Sequence, residues 1–434
     1  MKRFLLSAVA TALLSTSVQA QPYCDALLDA SALAKKYQRL APIYSSQDTG
    51  WIFGSDQLDE TYAMKAESNA LFTSIVSEFE AAGVDLAVLI APPRPIVAGQ
   101  EVVTATLGDH GSYDVANARA SFEDMIAQLR AAGAIVPNLL DVATSDGADP
   151  YFFRRDTHWT NTGAALSMNA LAQELGSDHA GINVAALNIL ETASERGSLS
   201  DIVDASCGAR DAEESTPIYD YASLNIGAGL LGDTIGPNVA LLGTSFSDRY
   251  KRDAYQVADA LATALGANVE NHSVSGGGLI GPIEAYVLSG ALQTKSHDLV
   301  VWEFPYTESL NANSALRQLL GALRYSNFAA SMTTSITLDA KARAKITIAE
   351  NDQPALVVLQ NVPVETRKVF VDVRLSDGSK KTIKLRRKSS VLVRSDMTSW
   401  AVDLTGWNGR AITSIDLRFE KQDAGQSVEI QLGA

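Results

Sequence analysis

The sequence predicts an α/β chain: a parallel sheet flanked by helices, followed by a separate β-sandwich. Three observations carry that prediction. Between about residues 67 and 304, short apolar runs alternate with longer segments whose apolar residues recur at helical spacing. That is the pattern of strands buried on both faces and of the helices that cover them. After about residue 330 the helical pattern stops, and short runs rich in β-branched residues follow one another. Charge changes at the same place: residues 21–330 hold 17 Lys+Arg against 38 Asp+Glu, and residues 331–434 hold 16 against 12. An acidic body thus carries a basic tail, which implies different tasks for the two.

Taken in order, the chain opens with a secretory signal peptide over residues 1–20. Lys2 and Arg3 supply its charge, residues 4–14 its apolar core and Val18-Gln19-Ala20 its cleavage site. A transient anchor is the alternative, although the apolar run is too short to span a bilayer. No later segment has eighteen uninterrupted apolar residues, so a soluble periplasmic protein is expected. The rest of the 434-residue chain exceeds one ordinary core, and two domains are expected, 21–330 and 331–434. Cys24 and Cys207 are the only cysteines. In an oxidising compartment they are expected to form a disulfide, with two free thiols the less favoured state.

Residues 51–54 read as a strand and turn. In 67–82, Ala70, Leu71, Ile75, Phe79 and Ala82 mark an amphipathic helix. Residues 84–91 form a buried strand closed by Pro92-Pro93, 113–132 a helix ending before Gly133, and 134–142 a strand. A helix is expected over 161–175. The polar stretch 177–237 breaks the pattern and reads as a long insertion or lid around Cys207. Regularity returns with a strand at 238–242, a helix at 248–265, a short strand at 268–274, a glycine turn at 276–278, a helix at 282–292 and a strand at 299–304 closed by Pro305. In the tail, strands are expected at 335–338, 345–348, 355–359, 369–375, 382–385, 391–394, 412–419 and 428–432. Asp377-Gly378 supplies a hairpin turn.

Two short stretches carry the chemistry. Asp156-Thr157-His158-Trp159 places a carboxylate two residues before an imidazole, so that in an extended segment both face the same way. The carboxylate can hold the ring in one tautomer while its other nitrogen meets a nucleophile. Gly243-Thr244-Ser245-Phe246-Ser247 follows a buried strand and precedes a helical pattern, which lifts a serine above the sheet beside backbone N–H groups. Ser247 is the better placed helix N-cap, which leaves Ser245 for chemistry and Thr244 as the weaker nucleophile. An Asp-x-His pair is by itself more often a structural ion pair. Here it precedes a helix start, and His110, His179 and His297 lie in polar, solvent-like contexts. His272 is a rival base but falls inside a predicted strand. Gly276–Gly278 are either a plain turn or the source of a second oxyanion N–H, from Gly277, beside that of Ser245. Histidines are few and show no ligand spacing, so no metal is expected.

These residues resemble a known motif set. Asp156-Thr157-His158-Trp159-Thr160 with Gly163-Ala164, Gly243-Thr244-Ser245-Phe246-Ser247, Gly276-Gly277-Gly278 with Glu284-Ala285-Tyr286, and Trp302-Glu303-Phe304-Pro305 look like those of alginate O-acetyltransferases of the AlgX/AlgJ type. Trp51-Ile52-Phe53 and Pro92-Pro93-Arg94-Pro95 are similar too. The resemblance covers about residues 45–310. It implies an SGNH-hydrolase-like domain with Ser245 as nucleophile, His158 as general base and Asp156 as its orienter, and a C-terminal carbohydrate-binding β-sandwich. The implied reaction moves acetyl groups from a donor to hydroxyls of an exported acidic polysaccharide. The alternatives are a polysaccharide acetylesterase and a non-catalytic scaffold of a secretion complex. No cofactor is implied beyond the acetyl donor. Membrane-bound acetyl-supplying proteins and export proteins are the implied partners, and no nucleic acid is. Tyr250 and Tyr306 are candidates for stacking on sugar rings. Arg94, Lys381, Lys384, Arg386 and Arg387 are candidates for pairing with polymer carboxylates.

Overall fold

The computed structural model describes residues 23–145, 147, 150–176, 179, 181–224, 237–392 and 397–433. The signal peptide expected at 1–20 lies outside them. The chain begins with 3-10 turns and a small hairpin, β1 (Ile43–Ser45) and β2 (Ile52–Gly54). Then come α1 (Ala66–Ala82), β3 (Asp85–Ala91), α2 (Arg94–Ala98), α3 (Gln100–Leu107), α4 (Val115–Ala131), α5 (Leu139–Ala143) and α6 (Asn161–Leu175). The polar insertion is ordered in its described part: β4 (Ile189–Glu195), α7 (Ser198–Cys207) and β5 (Glu214–Tyr219), with β4 and β5 paired antiparallel. After it follow β6 (Asn238–Leu242), α8 (Val257–Leu265), β7 (Asn268–Asn271), α9 (Gly281–Leu288), β8 (Leu299–Pro305) and α10 (Asn313–Tyr325).

Strands β3, β8, β6 and β7 form a parallel sheet in that order. Period-two alternation explains how it is covered twice. Val88, Ile90, Leu242, Trp302 and Phe304 face one core, with α1, α4, α9 and α10. Ala87, Leu89, Leu241 and Val301 face the other, with α6 and α8. Gly243 follows the β6 end directly, so the site lies at the carboxyl edge of the sheet, as it does in open α/β folds.

The tail is all antiparallel. Its strands are β9 (Ala330–Thr337), β10 (Arg343–Thr347), β11 (Leu356–Gln360), β12 (Lys368–Leu375), β13 (Lys380–Arg386), β14 (Trp400–Asp403), β15 (Ile412–Arg418) and β16 (Ser427–Gly433). They make two sheets, β10-β15-β12-β13 and β14-β11-β16-β9. Val357, Leu359, Val371, Val373, Trp400, Ile415 and Ile430 fill the space between them. The outer face of the second sheet, with Leu356, Val358 and Ala401, packs toward Tyr325 and Phe328 at the end of α10. Gly321 makes that approach possible, because a Cβ there would sit 2.5 Å from Val402 N.

Several expectations change. The strand expected at 134–142 is a single parallel bridge between Ile135 and Ala87. Pro137 has no N–H to continue the ladder, and Asn138 caps α5 instead by accepting from Leu140 N. The helix expected from 248 begins at Val257. The Asp253 carboxylate captures the N–H groups of Val257 and Ala258 at 2.7 Å each and restarts the helix there. The strand expected at 391–394 falls partly outside the described residues, and its described part belongs to a short helix, α11 (Ser389–Leu392). Strand β14 and helices α2, α3 and α10 were not read from the sequence.

Candidate active site

Loop 152–159 carries the imidazole. Phe152 and Trp159 bridge antiparallel, and Thr160 caps α6 through Gly163 N at 3.0 Å, so the loop is pinned at both ends. Gly163 must lack a side chain, because a Cβ there would lie 2.2 Å from Tyr151 O. Inside the loop the chain bends rather than runs extended. Asp156 Oδ1 accepts from the backbone N–H of His158 at 2.9 Å, an Asx turn, and closely contacts His158 Nδ1. The other ring nitrogen, Nε2, lies 2.7 Å from Ser245 Oγ. The structure therefore brings Asp156, His158 and Ser245 into one hydrogen-bonded line. Ser245 is half-buried, while Asp156 and His158 are buried.

The serine turn rests on a buried acid. Glu303 of β8 accepts from Thr244 N at 2.7 Å, from Thr244 Oγ1 at 3.0 Å and from Ser247 Oγ at 3.0 Å. Ser247 is thus tied to Glu303 and is not an N-cap. Burial pushes the Glu303 carboxyl up to about 7, although those three donors pull it down. Gly243 makes room for the acid, since a Cβ there would lie 2.4 Å from Glu303 Oε2. Asn271 Nδ2 donates to Ser247 O at 2.9 Å, and Gly243 N donates to Ser273 Oγ at 2.9 Å, so the end of β7 and the residues just past it brace the same turn.

Three residues missed in the sequence complete the surroundings of the pair. Arg249 donates to Asp156 Oδ2 at 2.9 Å and to Glu195 Oε1 at 3.2 Å, and its NH1 lies 3.0 Å from His158 Nδ1. Ser198 N, at the start of α7, donates to Asp156 Oδ2 at 2.5 Å. Burial would raise the Asp156 carboxyl, but His158, Arg249 and Ser198 N–H together hold it well below the usual carboxylate range. Arg249, four residues past Ser245, was open to suspicion from proximity. Glu195 and Ser198 come from the insertion, and no local pattern connects them to the site. Phe246 and Tyr255 flank the His158 ring at 4.7 and 5.5 Å between centroids.

The other expected site residues divide. Tyr250 is 64% exposed, and its ring lies 4.5 Å from the Arg249 guanidinium. Lys381, Lys384 and Arg386 lie on β13, the edge strand of a tail sheet. Four expectations fail. Arg94 is fully buried and donates to Ile52 O, Gln57 Oε1, Phe153 O and Arg154 O at 2.7 to 3.1 Å, so it fastens the loop that carries Asp156 and cannot meet polymer. Arg387 is buried against Glu284 at 2.8 Å, beneath Trp400. Tyr306 sits in the core, edge-on to Tyr62, and offers no face to a sugar. Gly277 N–H is already bonded to Val274 O at 2.8 Å, so it does not serve an oxyanion. The Ser245 N–H has no acceptor among the described residues. Cys24 and Cys207 form a disulfide. His297 proves buried rather than solvent-like, and the fold assembles a cluster the spacing did not show, Glu270 with His272 and His297.

Comparison with known proteins places these features in a family. Residues 47–306 match the family model described as "SGNH hydrolase-like domain, acetyltransferase AlgX". The alginate biosynthesis protein AlgX of Azotobacter vinelandii is 24% identical over 307 residues, which is 69% of this chain and 62% of that protein. The probable alginate O-acetylase AlgJ of Pseudomonas aeruginosa is 27% identical over 281 residues, 59% of this chain and 68% of that one. The chain thus spans less than two thirds of the length of the AlgX protein from Azotobacter. A solved structure of Pseudomonas aeruginosa AlgX superposes with a TM-score of 0.70 at 20% identity, covering 95% of this chain and 99% of that one, a likeness of fold.

Proposed function

The chain belongs to the SGNH hydrolase-like AlgX acetyltransferase family, and on that premise we propose that it transfers acetyl groups to hydroxyls of an exported acidic polysaccharide of the alginate type. The observation that carries the proposal is the line from Asp156 through His158 to Ser245, with 2.7 Å between Nε2 and Oγ. His158 Nε2 takes the proton of Ser245 Oγ as that oxygen attacks the carbonyl carbon of an acetyl donor. Asp156, held ionised, keeps the ring oriented and stabilises the imidazolium. The proton then passes to the donor's leaving group, and an acetyl-serine remains. A sugar hydroxyl next gives its proton to the same Nε2 and takes the acetyl group, and Nε2 returns that proton to Ser245 Oγ as the acetyl-serine bond breaks. The Ser245 N–H faces the developing oxyanion in both halves.

The tail is assigned to the polymer. On the outward face of sheet β10-β15-β12-β13, Arg343, Arg374, Lys380 and Arg418 line a groove of about 520 Å³ with Asp372 and Asp416. Lys384 and Arg386 continue the same face along β13. Such a surface suits polyuronate carboxylates. The activity is placed in the periplasm, with membrane-bound proteins supplying acetyl groups.

The deciding experiment incubates the full chain with an activated acetyl ester and oligouronate and weighs the sugars. A mass gain of one acetyl group, absent with Ser245→Ala, is expected. Release of free acetate with no mass gain would make the protein an esterase. Normal polymer acetylation by Ser245→Ala in the producing cell would leave a non-catalytic scaffold. For the tail, replacing Lys384 and Arg386 with Ala is expected to weaken oligouronate binding and lessen its salt dependence; unchanged affinity would reject the assignment.

A further inference from the structure

The chain has five histidines, and His158 is absorbed by the site. Two of the others, His272 and His297, meet Glu270 at the edge of the parallel sheet. Glu270 is in β7, His272 follows its last residue, and His297 lies two residues before β8. Alternation along the extended chain turns Glu270 and His272 to the same side. His272 Nε2 is 3.2 Å from Glu270 Oε2, and His297 Nε2 is 3.4 Å from the same oxygen. The three donor atoms all lie within 4.8 Å of one another.

We infer that Glu270, His272 and His297 form a binding site for a divalent transition-metal ion of the zinc class, with the remaining position left to water. Zinc bonds to imidazole nitrogen and carboxylate oxygen are about 2.0–2.1 Å, so neighbouring donors in a tetrahedral shell lie about 3.3–3.4 Å apart. Two edges of the triangle already have that length. The third closes by movement of His272 and Glu270, whose side chains are 45% and 56% exposed. His297 does not need to move. It is buried, and its Nδ1 lies 3.0 Å from Tyr286 Oη, which aims Nε2 at Glu270. An outer-shell partner on the far ring nitrogen is the usual companion of a metal-binding imidazole. Two nitrogens and one oxygen select zinc, cobalt or nickel over calcium and magnesium, which prefer all-oxygen shells.

The position gives the ion a structural task. His272 N donates to Leu241 O at 2.9 Å. Its two neighbours, Asn271 and Ser273, are the residues that brace Ser247 O and Gly243 N. An ion at His272 ties that short edge segment to the loop before β8 and so steadies the turn that carries Ser245. It takes no part in the acyl transfer, and the inference does not rest on that reading.

The test uses the full chain without a histidine tag, stripped with chelator and dialysed. Zinc sulfate is titrated in competition with a chromogenic chelator, and thermal melts are recorded with and without zinc. One equivalent per chain is expected, with a rise in Tm of several degrees. His272→Ala, an exposed change that leaves the fold intact, is expected to weaken binding at least tenfold and to abolish the rise. Tyr286→Phe is expected to weaken it about tenfold, and Ser245→Ala to bind as the parent does. Absence of stoichiometric binding of zinc, cobalt and nickel would overturn the inference. So would equal binding by His272→Ala.

Discussion

At the scale of single residues, two buried carboxylates lie on either side of the serine, and their environments drive them apart. Asp156 faces His158, Arg249 and Ser198 N–H, and its folded-state carboxyl lies below its ordinary 3.8. The stability it contributes is therefore complete above about pH 4 and fades as pH falls further. Glu303 has hydroxyl and amide donors but no cation among the described residues, and it rises from 4.5 to about 7. Between those values the folded chain holds the extra proton, so its contribution is complete below pH 4.5 and drains away as pH climbs to about 7. Thermal melts between pH 2 and 8 should show both limbs. Asp156→Asn should flatten the acid limb, and Glu303→Gln the one between pH 4.5 and 7. Arg94 invites a second measurement. A lysine there keeps the charge but lacks the fork that reaches Ile52, Gln57, Phe153 and Arg154 together. Arg94→Lys is expected to lower stability by about 1–3 kcal/mol, from acceptors left unpaired, and to reduce turnover through the Asp156 loop. Denaturant unfolding and acetyl-ester turnover, measured on one preparation, check both.

At the scale of elements, what was legible followed from burial. The strands β3, β6 and β8 are apolar along their length because both faces are covered, and such runs announce themselves. The hairpin β4–β5 did not. Strand β4 is largely exposed, and β5 buries only Thr216 and Tyr219, so neither strand shows a continuous apolar run. The helix expected at 248 was displaced by one side chain, Asp253, whose capping geometry has no periodic signature. The same division runs through the site. Asp156, His158 and Ser245 stand in compact motifs, whereas Glu195 and Ser198 reach it only through tertiary folding of the insertion. Arg94 was misread because an arginine beside prolines looks the same in sequence whether it meets a ligand or four carbonyl and amide oxygens. The element that joins insertion to site is α7: it begins at Ser198, on Asp156, and ends at Cys207, bonded to Cys24. Closing a loop with a sequence separation of 183 contributes at most about 5 kcal/mol on chain-entropy grounds. Replacing both cysteines with serine is expected to cost about 2–5 kcal/mol in chemical denaturation and to lower turnover without changing the mass of the product.

At the scale of the whole molecule, α10 belongs to both halves. Arg317 reaches Asp403 at 3.0 Å, and Arg324 joins Asp403 at 2.6 Å to Glu78 at 2.7 Å. Gln318 donates to Glu284, which also holds Arg387. Edge strand β13 leans on the helix as well, with Lys384 N donating to Ser314 Oγ and Arg386 N to Gln318 Oε1. Removing one member of a buried ion pair leaves the other uncompensated, at about 3–5 kcal/mol. The parent chain should therefore melt in one transition, and Arg387→Met in two, with the tail first. Calorimetry distinguishes the outcomes, and a single unshifted transition in the variant would show that the joint is held elsewhere.

The absence of a side chain at Gly321 then reaches well beyond packing. Helix and tail sheet touch backbone to backbone there, so the basic groove cannot swing like a module on a string. If the tail holds the polymer as proposed, a chain gripped on that face would meet the serine at a constant number of sugar units from its anchor. Acetyl marks would fall at a preferred interval along each chain, like graduations on a ruler, and lengthening the joint would shift the interval rather than the rate.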